Sequence, residues 1–512
     1  MQIIIPMSGL GSRFAQAGYH NIKPLISVGN KTIIEHVINM FMPSDTFIFI
    51  CNEQHLHSTN LRSVLLLAAP NAVIVPIKPH KYGPVYAVAQ AYKYINNDMP
   101  CIVNYCDFYM NWNYTHFLNT IDETKVTGAI PCYKGFHPHL YTTNNVYAGC
   151  KVDSNNMLLE VKEKYSYTNN MERSHHSVGT YYFNTGATLK HYANLLLKSN
   201  NIINGEYYAS MVYPAMLNDN KNIVVYDAIT HFCQWGTPQD MQVYKQWHSL
   251  FLLQKNYNKQ YINTHLPKTT LLMPMAGNGQ RFVAEGYTLS KPLIAIDNMP
   301  MYQRAIQDLP SCENQLFITK QEIVLPAKKH VTQIVIKETT NGQASTCLLA
   351  KENINNTNPL LITPCDNGLV YDIKKFVTLQ HIADVIVFAF TNNPTVVSKP
   401  NQYGWIVVDG CSNITAISCK QAISKNPIND YAITGTFWFR QGNYFVTAAQ
   451  QMINTGTTIN GEYYVDECIN NCIENGLTVK VFCVDTYICW GTPIDVKTYN
   501  YWESFFKTHQ FE

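Results

Sequence analysis

Apolar and polar positions along this chain follow two rhythms. Residues Gln2 to Met7 form a short β-branched run closed by turn-forming residues, which predicts a buried strand. The stretch "KTIIEHVINMF" sets Ile33, Ile34, Val37, Ile38 and Phe41 at helical spacing, so a helix is predicted there. "TFIFI", "NAVIVPI" and "CIVNY" predict further strands, with "VYAVAQAYKYI" as an amphipathic helix between the last two. Strands alternating with helices argue for an α/β domain round a mainly parallel sheet. Ligands of such sheets collect at the carboxyl ends of the strands.

The first strand runs into "SGLGSRF". Gly9 and Gly11, on either side of Leu10, allow a tight turn whose backbone N–H groups suit phosphate. A dinucleotide fingerprint would need a glycine where Phe14 stands, and a P-loop would need Gly-Lys-Ser/Thr, which is missing. Arg13 and Lys23 bring two cations to the loop, which fits a polyphosphate. An ordinary strand-to-helix turn is the competing reading.

The chain then repeats itself. "PMAGNGQRFVAEGYTLSKPL" from Pro274 answers "PMSGLGSRFAQAGYHNIKPL" from Pro6 at a constant offset of 268 residues. Gly277, Asn278, Gly279, Arg281 and Lys291 thereby stand opposite Gly9, Leu10, Gly11, Arg13 and Lys23. Late in each copy "INGEYY" and "WGTP" recur. A repeat this long predicts two complete domains, placed at residues 1–253 and 268–512 with the boundary in the polar stretch "QKNYNKQYINTHLPK".

Composition narrows the class. The chain has 512 residues, 46% of them hydrophobic, and a formal net charge of +2, with no long basic run to suggest a nucleic-acid partner. The longest apolar stretch is broken by prolines and an asparagine, so no membrane span is predicted. The N-terminus enters a strand without a basic leader, and the fifteen cysteines lack any C-x-x-C spacing. Reduced thiols in a cytosolic protein are expected, most of them as small core residues.

Four further features recur between the copies. Asp107 and Asp366 each follow a buried strand and a cysteine, where a carboxylate suits a Mg²⁺ bridging substrate phosphates; a turn-capping role is the alternative. Gly83 and Gly342 open a helix and could let a flat base lie against the backbone. Glu163 and Lys164 end an apolar strand, with Cys419 and Lys420 in their place in the second copy; an acid–cation pair could hold a sugar phosphate or be a surface ion pair. Glu206 and Glu462 in "NGEYY" could bind sugar or occupy a first helical turn.

Together, "PMSGLGSRF…KPL" and "PMAGNGQRF…KPL" resemble the signature of the sugar-nucleotide nucleotidylyltransferases (NTP_transferase family) in two tandem copies. The resemblance implies two GT-A-like domains that join an NTP to a sugar 1-phosphate, or a related phosphorylated compound, and release pyrophosphate with Mg²⁺. It also implies activated sugars made for a surface glycan. Carried over by position, it assigns the triphosphate to the loops at Gly9 and Gly277. The leaving phosphates go to Arg13 and Arg281, and the reacting phosphates to Lys23 and Lys291. Mg²⁺ goes to Asp107 and Asp366, and the sugar phosphate to Glu163, Lys164 and Lys420.

There are departures. The family often places a second metal-binding Asp two residues before the last glycine, where Gln234 and Cys489 stand, with Asp240 and Asp495 nearby. Cys419 in place of Glu weakens the expected sugar site of the second copy alone. A glycosyltransferase on the same architecture would usually show D-x-D, which this chain lacks. A nucleotide-binding regulator with silent halves is the rival from outside enzymology; the retained cations argue against complete silence.

Overall fold

The structure is a computed structural model. It describes residues 1–142, 147–321, 323–325, 330–393 and 395–509, with backbone alone at 142, 255–263 and 398. Two compact units divide the chain: Met1–Trp247 joined by the segment that begins at Tyr501, and His248–Asn500. The polar stretch expected to hold the boundary belongs mostly to a helix, Pro238–Asn263, followed by the strand His265–Met275. The stretch up to Asn263 has no Gly or Pro to break a helix, so a polar composition alone did not distinguish helix from linker.

In the first unit the predicted strands form at Gln2–Met7, Thr46–Asn52, Val73–Ile77 and Cys101–Asn104. Gln2–Met7 lies between Thr46–Asn52 and Cys101–Asn104, parallel to both, and Val73–Ile77 extends this parallel part. Beyond Cys101–Asn104 the sheet turns antiparallel through Thr180–Phe183, Gly128–Tyr133, His175–Ser177, Gly149–Val152 and Leu158–Lys162. Ile3, Ile4 and Ile5 are fully buried, as a strand covered on both faces requires. The helix Ile33–Ile38 starts with a capping box between Thr32 and Glu35. The expected helix at "VYAVAQAYKYI" is shorter, Pro84–Gln90, and passes into a 3₁₀ turn at Tyr92–Tyr94.

The second unit repeats the plan. His265–Met275 pairs in parallel with Ser311–Thr319 and Leu360–Ile362, and Leu360–Ile362 pairs antiparallel with Tyr431–Phe439. Each unit is thus an α/β domain with a large mixed sheet flanked by helices.

Tyr501, Trp502 and Phe505 are buried in the first unit. There the Tyr501 hydroxyl bonds the backbone of Phe232, accepting from its N–H at 3.2 Å and donating to its carbonyl. All fifteen cysteines are unpaired and eleven are buried, in keeping with the core role expected of them. No helix among the described residues is long and apolar enough to cross a membrane.

Candidate active site

The glycine loops take the same form in both units. Gly11 and Gly279 sit at φ +64° and +59°, the left-handed region where a side chain is strained. A Cβ on Gly11 would lie 3.9 Å from Lys23 Cβ, and one on Gly279 would lie 3.2 Å from Lys291 Cβ, so each loop folds directly over its Lys-Pro segment. A Cβ on Gly9 or Gly277 would meet nothing within 4 Å, which leaves open space beside the loop. Leu10 is exposed beside it, and Asn278 accepts a 2.7 Å bond from Lys320. Arg13 and Arg281 lie exposed on the short helices Ser12–Gln16 and Gln280–Ala284.

Lys23 Nζ meets Asp107 Oδ2 at 2.5 Å, and Lys291 Nζ meets Asp366 Oδ2 at the same distance. The two residues come from separate segments, yet the same pair forms in each unit. Burial works to lower the Lys291 pKa, but the Asp366 carboxylate together with Cys365 and Cys489 leaves it raised, hence charged.

Strand register explains what stands beside the aspartates. His231–Gln234 pairs antiparallel with Phe108–Asn111, and Thr486–Cys489 with Asn367–Val370. Trp235 N–H donates to the Asp107 carbonyl and Trp490 N–H to that of Asp366, both at 2.8 Å. The point a Cβ on Gly236 would occupy lies 3.4 Å from Asp107 Oδ2, 3.3 Å from Gln234 Nε2 and 3.5 Å from Asp240 Oδ2. Round Gly491 the corresponding atoms are Asp366 Oδ2 at 3.6 Å, Cys489 Sγ at 3.3 Å and Asp495 Oδ2 at 3.9 Å. Asp240 and Asp495 thus each set a carboxylate oxygen beside the same glycine that an oxygen of Asp107 or Asp366 lines. Both also cap helices: each accepts from the backbone N–H of the preceding threonine, Thr237 at 2.7 Å and Thr492 at 2.8 Å.

Among the described residues no group of three or more His, Cys, Asp and Glu is placed to hold a metal. A Mg²⁺ shared with substrate phosphates needs only one or two carboxylates. Asp107 and Asp240 each offer a carboxylate oxygen of the kind that hard ion takes, whereas Gln234 turns its Nε2 donor toward Asp240 at 3.4 Å while its Oε1 accepts from the Tyr147 hydroxyl at 2.6 Å. In the second unit, burial and the two carboxylates push Cys489 up to about 12, so a neutral thiol stands where Gln234 offers an amide.

Gly83 and Gly342 have a structural role of their own. Both sit at positive φ, +84° and +110°. A Cβ on Gly83 would lie 2.8 Å from Tyr207 N, and one on Gly342 would lie 2.5 Å from Tyr463 N. Tyr207 N–H donates to Tyr82 O at 2.9 Å and Val85 N–H to Tyr207 O at 3.1 Å, and Tyr463 is stitched to Asn341 and Ala344 in the same way. The missing side chains are accounted for by this close approach to the "NGEYY" segments. Gly83→Ala should cost about 1–3 kcal/mol from the backbone conformation alone, and more from the clash. Thermal denaturation checks it; a wild-type melting curve would mean that the two segments do not meet.

"NGEYY" itself is a tight turn. Asn204 and Gly205, like Asn460 and Gly461, have positive φ, and Ile203 pairs with Glu206 across the turn as Ile459 does with Glu462. Neither glutamate sits in a helical first turn. The second tyrosine of the motif then gathers the remaining residues. Lys164 Nζ lies over the Tyr208 ring at 5.5 Å and Lys420 Nζ over Tyr464 at 5.1 Å, each lysine in the left-handed conformation. Burial, then Glu206 and Glu163, raise the Tyr208 pKa, while the Arg13 guanidinium opposes them, so these groups share one region. Glu163 accepts a 2.5 Å bond from Ser210, and burial pushes its pKa up. Sequence reasoning missed Tyr208 and Tyr464, although their recurrence in both copies was the available signal.

Two family descriptions match the chain: "MobA-like NTP transferase domain" at residues 3–154 and "Nucleotidyl transferase" at residues 271–485. The chain consists of two tandem domains of the nucleotidyltransferase family. No curated protein is matched by the sequence. Among solved structures, a nucleoside-diphosphate-sugar pyrophosphorylase from Vibrio cholerae RC9 is similar at 19% identity and TM-score 0.40, over 47% of this chain and 98% of that one. A UDP-glucose pyrophosphorylase complexed with UDP-glucose is similar at 17% identity and TM-score 0.38, over 47% of this chain and 99% of that one.

Proposed function

We propose that each half transfers a nucleotidyl group from an NTP to a sugar 1-phosphate or a related phosphorylated compound, with release of pyrophosphate. The observation that carries this reading is the pair formed by Lys23 with Asp107 and again by Lys291 with Asp366, each beneath a glycine loop with open space above it. In the reaction an acceptor phosphate oxygen bonds to the α-phosphorus, the bond from that phosphorus to the bridging oxygen breaks, and pyrophosphate leaves with the electron pair. Such a displacement needs in-line positioning and charge compensation rather than a nucleophilic side chain.

The loop N–H groups would hold the triphosphate, Arg13 or Arg281 the departing phosphates, and Lys23 or Lys291 the reacting ones. Asp107 with Asp240, and Asp366 with Asp495, would hold a Mg²⁺, which when bound neutralises phosphate charge. Glu163, Lys164 and Glu206 in the first half, and Lys420 and Glu462 in the second, would face the acceptor. The activated sugar would serve later glycosyl transfer, as for a surface glycan.

A matrix of the four common NTPs against sugar 1-phosphates, scored by pyrophosphate release, tests the proposal. Release with at least one pair is expected. Nucleotide binding without release from any pair would favour a regulator. Cys489 in the metal region favours slower turnover in the second half.

A further inference from the structure

The second half has not lost the acid that Cys419 displaces. Aligned on the repeat, "GEYYAS" and "GEYYVD" set Ser210 opposite Asp466. In the first half the residue just past the strand Leu158–Lys162 carries the carboxylate and its partner on the "GEYY" side carries a hydroxyl, with Ser210 Oγ donating to Glu163 at 2.5 Å. In the second half the chemistry is exchanged: the strand end carries the thiol of Cys419, and Asp466, in the helix Val465–Glu474, carries the acid.

Three observations place that carboxylate at the strand end. Gly404 is the cross-strand partner of Cys419, and a side chain on Gly404 would run into the Asp466 carboxylate. Asn470, one turn further along the helix, accepts from Ile417 N–H at 2.8 Å and donates to Ile417 O at 3.1 Å, which pins helix to strand. Asp466 is only 8% exposed, and Lys420, next to Cys419, acts on it as the opposing charge. Lys420 in turn lies over Tyr464 as Lys164 lies over Tyr208.

We propose that Asp466 is the acid of the acceptor site in the second half and takes the place of Glu163. The inference rests on the nucleotidyl-transfer reading. It makes the acceptor a phosphorylated compound with a hydroxyl donor near its phosphate, as in the first half. The shorter acid approaches from the helix rather than the strand, so the two halves hold that hydroxyl differently and select different acceptors. Cys419→Glu alone would crowd two buried carboxylates together and impair the site rather than repair it.

The test uses the full chain with Lys23→Ala to silence the first half, and the sugar 1-phosphate that the second half uses best in the matrix. Asp466→Ser should raise the acceptor KM at least 10-fold and leave the NTP KM within about twofold. Adding Cys419→Glu to Asp466→Ser rebuilds the first-half arrangement and should recover most of the loss, which a merely structural role would not do. An unchanged acceptor KM in Asp466→Ser, or a double variant no better than the single one, overturns the proposal. Should Asp466→Ser fold poorly, Asp466→Asn preserves its size and carries the same KM expectation. If no pyrophosphate is released with any substrate pair, the transfer reading itself fails. Thermal unfolding then decides this point: Cys419→Glu should lower the melting temperature, and Asp466→Ser should cancel that loss. Additive effects would mean that the two side chains share no site.

Discussion

Lys23→Ala, introduced into a chain already carrying Lys291→Ala, should abolish nearly all remaining transfer. A cation at the reacting phosphate is worth more in the transition state than in the ground state, because charge concentrates there as the new bond forms. Loss of one such contact costs about 3–4 kcal/mol, or on the order of 10²–10³ in turnover. The geometry adds a second consequence. Lys23 Nζ lies 2.5 Å from Asp107 Oδ2, so removing it leaves that carboxylate without its neutralising partner. Divalent-cation binding to the variant should therefore be tighter than to the parent chain even as turnover falls. Steady-state pyrophosphate release and a Mg²⁺ titration followed by calorimetry check the two effects. Turnover within threefold of the Lys291→Ala parent would remove Lys23 from the reacting centre.

Acid should weaken the first unit through two buried histidines. The His137 ring donates from Nε2 to Phe232 O at 2.9 Å and accepts the His139 backbone N–H on Nδ1 at 3.2 Å. Both nitrogens are satisfied only while the ring is neutral, and protonation would set two N–H groups against each other. Burial, then nearby His139, lowers the His137 pKa to about 3 from an ordinary 6.5. Burial, then His509, lowers His231 to about 4. The unfolded chain takes up protons at both positions below about pH 6.5, whereas the folded chain does so only near pH 3–4. The stability these rings provide is therefore complete above pH 6.5 and lost as the pH falls from there toward 4. At pH 5 the loss is about 2 kcal/mol per histidine, or about 4 kcal/mol for the pair. Urea denaturation at pH 7 and pH 5 should show the drop in the native chain and a much smaller one in His137→Gln/His231→Gln. Equal drops in both chains would contradict the assignment.

Much of this architecture was readable in the sequence because it is local. Gln2–Met7 and Thr46–Asn52 are β-branched runs with turn residues at their ends, and the constant offset between the copies exposed the glycine loops, the lysines and the aspartates. What stayed hidden depends on contacts between distant segments. The sequence shows Gly83 but not the Tyr207 backbone that fills the space beside it. The sequence puts Asp240 only near the expected second carboxylate position, and the strand register is what sets it and Asp107 beside the same glycine. The exchange of acid between Cys419 and Asp466 was present in the repeat, yet neither residue type suggests it without the packing of helix on strand. The repeat sets Tyr501 and Trp502 opposite Gln246 and Trp247, which assigns them to the second copy. Their place in the first unit follows from burial of Tyr501, Trp502 and Phe505.

In the proposed reaction the α-phosphate moves to an acceptor while the β- and γ-phosphates leave together. NTP labelled in separate preparations at the α- and γ-phosphate, incubated with Mg²⁺ and the acceptor that gives the most pyrophosphate, tests this directly. Nucleotidyl transfer requires α-label in the sugar-linked product and γ-label wholly in pyrophosphate. Label from the γ-position in the acceptor, or its release as inorganic phosphate with the α-label left in NDP, would contradict it.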